Sequence, residues 1–509
     1  HQQAAGGPLA KDVSSAEFSD NLLDIEGSPV RRGTIWTGAD DGVVSVTTDS
    51  GRTWRRVSPK DVGPYGRVET VAPSPFDANT AYAIVDRHRS GDYDPHVFVT
   101  HNLGTTWTTI TNGLPANSYA RTIRPDPRNR ALLYAGTENG MYVSFDSGAR
   151  WETFKQNLPT VSVRDIRIQP EFDDLAIATH GRDLWIMDDI RALQELPQAQ
   201  SAGAMLFPIR TAYQYAFHSN DEGAYTDFTG KNPPQGAIID FYQNKPQAHT
   251  PVVEIVNSSG RVIRHIKPPA HPPSADAAPA DARNPRTALV PNQSGLNRAI
   301  WDFREDGVPQ WMGAARDEYR GPETGVPVVP GTYAARISLN GRTFTQRFAV
   351  KADPQSQYRQ VDFVVAHAFA QKYLRDEGQI NTVLNRLDEQ KASLTSARAA
   401  LSKSGNTALV AKIDEAMASH DRVFNAFTAN YHNDEDSIQY PGQLREDIPG
   451  GGFGGGPPTQ AQMQFANRFD AKYNAAIAQY NAEAASLAAL SVQVQSAGAP
   501  PIKGTIPVR

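Results

Sequence analysis

The chain has 509 residues, of which 39% are hydrophobic, with a mean hydropathy of −0.49. That is room for three or four domains of ~150 residues each, and the composition of β-rich modules with polar turns rather than one large α/β core. A net charge of −5 supplies no basic field for nucleic acid, and no apolar run approaches the ~20 residues of a membrane span. The absence of cysteine excludes disulfides, thiolate catalysis and cysteine-ligated metals.

In chain order, residues 1–20 read as an N-terminal extension that opens on His1 with no signal-peptide pattern, a start made by trimming or by cleavage, of which the repeats described next favour cleavage of a longer precursor. A repeat follows. "TTDSGRTW" (47–54) returns as "THNLGTTW" (100–107) and "SFDSGARW" (144–151), so Asp49, Asn102 and Asp146 align, as do Gly51, Gly104 and Gly148, and Trp54, Trp107 and Trp151. The spacings of 53 and 44 residues are those of four-stranded propeller blades. Each copy lies between short alternating apolar runs, as a hairpin requires. An Asp or Asn side chain accepts bonds from backbone N–H groups just ahead of it, and Gly supplies positive φ. Asn102 can hold such a turn but cannot act as a carboxylate, which favours a structural role for the aligned Asp49.

These repeats resemble the Asp-box of sialidase-type propellers, and "WTGADDGVVSVTTDSGRTW", "LLYAGTENGMYVSFDSGARW" and "ATHGRDLWIMDD" resemble bacterial BNR-repeat, "glycosyl hydrolase"-type, sortilin-like proteins. The resemblance implies a β-propeller with the Asp-boxes at the periphery, away from any active site. Four blades are expected within 21–190, at about 21–57, 66–110, 119–154 and 162–189, the last without an Asp-box or outer strand. Four units with unpaired edges imply part of a larger propeller, the rest being a second polypeptide that completes it or a lost fragment.

Residues 191–204 read as a linker, and 205–352 as an immunoglobulin or fibronectin III-like β-sandwich with Trp301 in its core and an exposed Pro/Ala-rich loop at 267–293. From 353 the period becomes helical: a first helix from about 357, a second over about 406–431 and a third over about 459–494, with the Gly/Pro-rich loop 449–458 before the third. The expected fold is mainly β, a partial propeller and a sandwich followed by a C-terminal helical bundle.

Candidate residues sort by propeller face, because function sits on the loops joining second to third strands and blade to blade. The 85–98 loop is expanded where its counterparts are tight turns, and carries Asp86, Arg87, His88, Arg89, Asp92, Tyr93, Asp94 and His96, a mixture suited to a sugar or peptide, or to a solvated loop with internal ion pairs. Arg67, Arg121 and Arg164 lie near the starts of innermost strands, where they can ring a channel mouth and meet a carboxylate, or pair between blades. "THGRDLW" places His180, Arg182 and Asp183 on another turn of that face, or serves to close the last blade. For glycoside hydrolysis, carboxylates are available at Asp40, Asp41, Asp86, Glu138 and Asp183, of which Asp86 and Asp183 are the catalytic candidates, but sequence places no two across a cleft. No cofactor is implied; "DYDPH" (92–96) offers at most a short set of oxygens for calcium. The expectation is a secreted or periplasmic bacterial scaffold that binds a protein or glycan partner. The alternative is a glycoside hydrolase, sialidase- or xyloglucanase-like, whose carboxylates are shared with the missing half.

Overall fold

The computed structural model describes residues 21–60, 66–215, 232–267, 290–313, 324–428, 444, 447–450 and 456–508. The N-terminal extension, most of the 267–293 loop, residues 429–431 and residues 451–455 of the Gly/Pro-rich loop lie outside the described residues. The protein is mainly β, with antiparallel sheets followed by long C-terminal helices. It divides into one compact unit of His1–Arg210 with Asp240–Lys245 and Gln293–Leu296, and a second of Thr211–Ile239, Pro246–Asn292 and Asn297–Arg509.

The first unit is built from consecutive antiparallel meanders. Strands β1 (Leu22–Gly27), β2 (Ile35–Ala39), β3 (Val44–Thr47) and β4 (Arg55–Arg56) pair in that order. So do β5 (Arg67–Pro73), β6 (Ala81–Asp86), β7 (His96–Thr100) and β8 (Thr108–Thr109), and then β9 (Ala120–Pro125), β10 (Leu133–Thr137), β11 (Gly140–Ser144) and β12 (Glu152–Thr153). The fourth sheet has three strands, β13 (Val163–Gln169), β14 (Asp174–Thr179) and β15 (Leu184–Met187). These strands fall within the four segments expected from the repeat.

Alternation explains how the sheets stack. Trp36, Val44 and Val46 of the first sheet share one apolar core with Val68, Val71 and Phe98 of the second. Tyr82, Val97 and Val99 of the second meet Ile123 and Tyr142 of the third. Tyr134, Met141 and Val143 of the third meet Ile166, Leu175 and Ile177 of the fourth. Close approach is set by small residues on the second strands: a Cβ added at Gly136 would lie 2.6 Å from Val163 Cγ1 and 2.7 Å from its carbonyl oxygen.

The Asp-box turns join third to fourth strands. Asp49 accepts from Thr47 Oγ1 at 2.7 Å and from Thr53 N at 2.9 Å; Asp146 accepts from Ser144 Oγ at 2.7 Å and Arg150 N at 2.9 Å. Asn102 takes the same bonds from Thr100 Oγ1 at 3.0 Å and Thr106 N at 2.9 Å, so the turn needs an acceptor oxygen and no charge. Hydrogen bonds from the Thr53 side chain and backbone hold the Asp49 carboxyl down at about 2.

Residues 191–204, expected as a linker, are largely helical: α1 (Arg191–Gln194) and α2 (Leu196–Ala202) bury Ala192, Leu193 and Ala199. Buried apolar residues at this spacing hold the segment in the first unit's core rather than free in solvent. Beyond them come β16 (Ala204–Leu206), β17 (Ala212–Gln214), β18 (Ala237–Gln243), β19 (Val253–Val256), β20 (Val262–Ile266), β21 (Gly295–Trp301), β22 (Arg304–Asp306), β23 (Thr324–Pro327), β24 (Gly331–Leu339) and β25 (Arg342–Ala352). They form a five-stranded sheet in the order β17-β25-β24-β19-β20, a three-stranded sheet β16-β18-β21 and the pair β22-β23. Trp301 is fully buried and meets Phe303, Tyr333 and Phe348 edge-on, at centroid distances of 5.2–5.9 Å.

The helices are α3 (Gln360–Lys403), α4 (Thr407–Phe427) and α5 (Gln460–Ser496). Asn406 caps α4 through its side chain, and Thr459 with Gln462 makes a capping box at the start of α5. The helices share a core that includes Ile380, Leu384, Val423, Phe469 and Tyr480. No described helix is long and apolar enough to cross a membrane. Within the core, both carboxylate oxygens of Glu483 are buried without a hydrogen-bond partner among the described residues. Burial pushes its carboxyl up to about 7, opposed by the attraction of Arg422 and aided by the repulsion of Asp421.

Two outcomes are expected. Gly136→Ala overpacks the third joint, costs about 1–3 kcal/mol and lowers the urea midpoint of the first unit. Glu483 holds its proton more tightly in the folded state than in the unfolded chain, where the usual value is 4.5. Its contribution to stability is therefore fully present below pH about 4.5 and is lost as pH rises to about 7. Glu483→Gln flattens that slope and raises the midpoint at pH 8, measured by urea titration at pH 5 and pH 8.

Candidate functional site

A β-bulge recurs at one place in all four sheets, where the first strand pairs with the end of the second. The extra residue is Leu23, Glu69, Arg121 or Arg164, and a bulge re-aims the side chain it carries. The loop from β6 to β7 lies at the same end of its sheet. It begins with a 3₁₀ turn over His88–Ser90, stopped by Gly91 at φ 81°. Bulges and loop together assemble a charged and aromatic cluster.

Arg121 is its hub. Nη1 donates to Asp86 Oδ2 at 3.0 Å, Nε to Glu138 Oε2 at 3.1 Å and Nη2 to the Tyr119 hydroxyl at 2.9 Å. Glu69 stands 3.8 Å away and takes Arg67 at 3.3 Å. Asp86 is buried and also meets His88 Nδ1 at 2.6 Å and accepts the His88 backbone N–H at 2.9 Å. His88 stacks on Tyr119 at 4.6 Å, with Tyr93 tilted against Tyr119 at 6.2 Å. Ser162 donates to Glu138 at 2.9 Å, so the cluster ties the second and third sheets to the residue before the fourth.

The outer part of the loop is also tied down. Asp92 pairs with Arg87 at 3.0 Å and His96 at 2.9 Å, and Asp94 accepts from the backbone N–H of Asn117 at 3.0 Å. Burial raises the Asp92 carboxyl, but bonds from His96 and the Asp94 N–H with the nearby cations outweigh it and hold the group below the usual range. Glu138 follows the same logic: burial is outweighed by Ser162 and Arg121, and its pKa is lowered. Burial pushes the Tyr119 hydroxyl up.

Of the sequence candidates, Asp86, Arg67, Arg121, His88, Arg87, Asp92 and Tyr93 come together, with Asp94 at the rim. Arg164 is exposed and stands outside the cluster. His180, Arg182 and Asp183 are exposed on the β14–β15 turn, where the Thr179 hydroxyl and the Trp185 indole are held by backbone carbonyls of Asp183 and Arg182, at 2.7 Å each. Their side chains make no hydrogen bond to the cluster among the described residues. No group of three His, Asp or Glu side chains that would hold a metal occurs among the described residues.

Tyr119 was not singled out by sequence, although an aromatic two residues ahead of Arg121 was a visible signal. A second cluster was missed entirely. Glu26 of β1 takes Arg124 of β9 at 3.3 Å and Arg167 of β13 at 2.9 Å, and Asp165 takes both arginines, at 3.1 and 3.0 Å. It joins first strands separated by more than 90 residues, which no local pattern reports.

Among comparisons with known proteins, a family match overlaps the repeat. A family profile described as Sortilin, neurotensin receptor 3 (Sortilin-Vps10) matches residues 42–165. No curated protein matches the chain. Among solved structures, it is similar to YCF48 bound to D1 peptide, at 18% identity and TM-score 0.26, over 33% of this chain and 52% of that one. It is similar to YCF48 from Cyanidioschyzon merolae at 15% identity and TM-score 0.26, over 33% and 53%. A GH74 xyloglucanase from Xanthomonas campestris matches at 14% identity and TM-score 0.28, over 64% of this chain and 45% of that one. The chain spans about half the length of the solved structures it matches.

The hub carries a test. Arg121→Ala leaves Asp86 buried beside His88 without its guanidinium, and removing one partner of a buried pair costs about 3–5 kcal/mol. The expected result is a large fall in the urea midpoint of the first unit, with Arg121→Lys intermediate because it keeps the charge but not the three-way geometry.

Proposed function

We propose that β1–β15 are four consecutive blades of an Asp-box β-propeller completed by a second polypeptide, and that residues 205–352 are an immunoglobulin or fibronectin III-like sandwich. In this reading the protein is an extracytoplasmic scaffold that binds a protein or glycan through the loop face. The observation that carries it is the tyrosine shelf beside the Arg121 cluster. The arginines and carboxylates there are engaged with one another, so Arg121 is a joint between blades and not a receptor for a ligand carboxylate. What remains for a partner is Tyr93, 47% exposed, leaning on Tyr119, on which His88 also stacks. An aromatic face with polar rim groups suits a sugar ring or a peptide side chain.

Two carboxylates of the cluster favour binding over hydrolysis. A glycosidase needs one carboxylic acid held protonated near neutral pH. Asp92 and Glu138 are shifted the opposite way.

Tyr93→Ala is expected to weaken capture on a glycan and peptide panel about tenfold or more, with unchanged circular dichroism and no release of reducing sugar from xyloglucan or sialyl-glycan by either form. Undiminished capture by the variant, or turnover by the wild type, overturns the reading.

A further inference from the structure

With β1–β15 taken as propeller blades, the reading on which this inference rests, the inner joints of the array repeat one construction. Val68, Ala120 and Val163 hold the same register position on their first strands and are fully buried against the preceding sheet. The Asp-box tryptophans reach backward as well. Trp107 Nε1 donates to the Val57 carbonyl at 2.6 Å and Trp151 Nε1 to the Ile110 carbonyl at 2.7 Å, each acceptor being the residue just after the preceding sheet's fourth strand.

The first sheet carries the same set, uncovered among the described residues. Leu22 stands in register where Val68 stands, and Ile25 where Val71 stands; both are 62% exposed, against 0% for their counterparts. Trp54 is 46% exposed, against 2% for Trp151, and its Nε1 folds back to the Gly51 carbonyl of its own turn at 3.1 Å. At the other end, Leu184 and Ile186 hold the positions of Val44 and Val46 and are 74% and 59% exposed, against 0% and 3%.

We propose that the surface formed by Leu22, Ile25 and Trp54 docks a further four-stranded sheet of the same repeat, one of the blades that complete the ring. The occupant is specified by what the inner joints use. It carries a small residue opposite Leu22, as Gly38 does for Val68 and Gly136 for Val163. It carries an aliphatic residue after its fourth strand, with a free carbonyl for Trp54. A second copy of this chain fits less well, because its uncovered sheet, β13–β15, is three-stranded among the described residues and has no fourth strand to bear that carbonyl.

The chain has no cysteine, so Leu22→Cys and Ile25→Cys report on the surface without background. The probe is an extra copy of residues 66–161, two sheets ending in a complete outer strand, inserted ahead of residue 21 in the full chain. Modification of either cysteine by a maleimide is expected to slow at least tenfold in the fusion, with Trp54 emission shifted to the blue relative to a Trp54→Phe control. Unchanged rates in a fusion with native circular dichroism overturn the proposal. So does slow modification in the unfused chain at twice the 55.5 kDa mass by sedimentation, which makes a second copy the occupant. Should the two-sheet insert fail to fold, a three-sheet insert of residues 21–161 gives the same readout. Capture that does not depend on Tyr93 would sink the scaffold reading and leave these rates untouched.

Discussion

The first unit depends on one constraint: no sheet in it can cover its own apolar faces. Each has short strands, and the outermost strand, where present, is two residues long. So small a meander is marginal in water. Stability comes from the joint, where large residues of one sheet enter the face of the next and small second-strand residues let backbones close up. Trp36 opposite Val68 and Val71, and Tyr134 opposite Val163 and Ile166, are instances of one rule. The Asp-box serves the same end. Its acceptor oxygen holds the turn so that the tryptophan, at the second and third copies, reaches the backbone of the sheet before.

Charge is handled by the same geometry. A buried carboxylate such as Asp86 persists only if paired and hydrogen-bonded. Arg121 meets that need across the joint, and the bulge that carries it gives it reach to Asp86, Glu138 and Tyr119 together. The expanded loop after β6 is thereby anchored at its root, while its tip presents an aromatic surface. A mixture of charges that looks reactive in sequence is largely consumed in holding the loop and sheets in place.

The second unit meets the burial problem differently. Two of its long helices, α4 and α5, are capped by side chains, and the cohesion of the helices comes from a shared aromatic and aliphatic core. Glu483 is the exception inside it, a carboxylate kept where its charged form is disfavoured. The cost of that placement is set by pH rather than by packing.

Sequence alone determined the elements whose cause is local. The period of the Asp-box, the hairpins on either side of it, the helices at the C-terminal end and the structural role of Asp49 all follow from residue spacing and turn chemistry, and Asn102 alone decides the last of these. Residues 191–204 escaped that reading because their helices are too short to show a period, and their burial depends on neighbours elsewhere in the chain. Only the tertiary structure decided which charges meet. Arg121 and Arg164 sit at the same bulge position, yet one is buried among carboxylates and the other is exposed. Arg121 takes both Asp86 and Glu138, the carboxylates at the end of, or just beyond, the second strands of two successive sheets. Glu26 likewise finds arginines far along the chain. Pairings of that kind are fixed by how sheets stack, and a stack is a property of distant faces that no window of sequence contains.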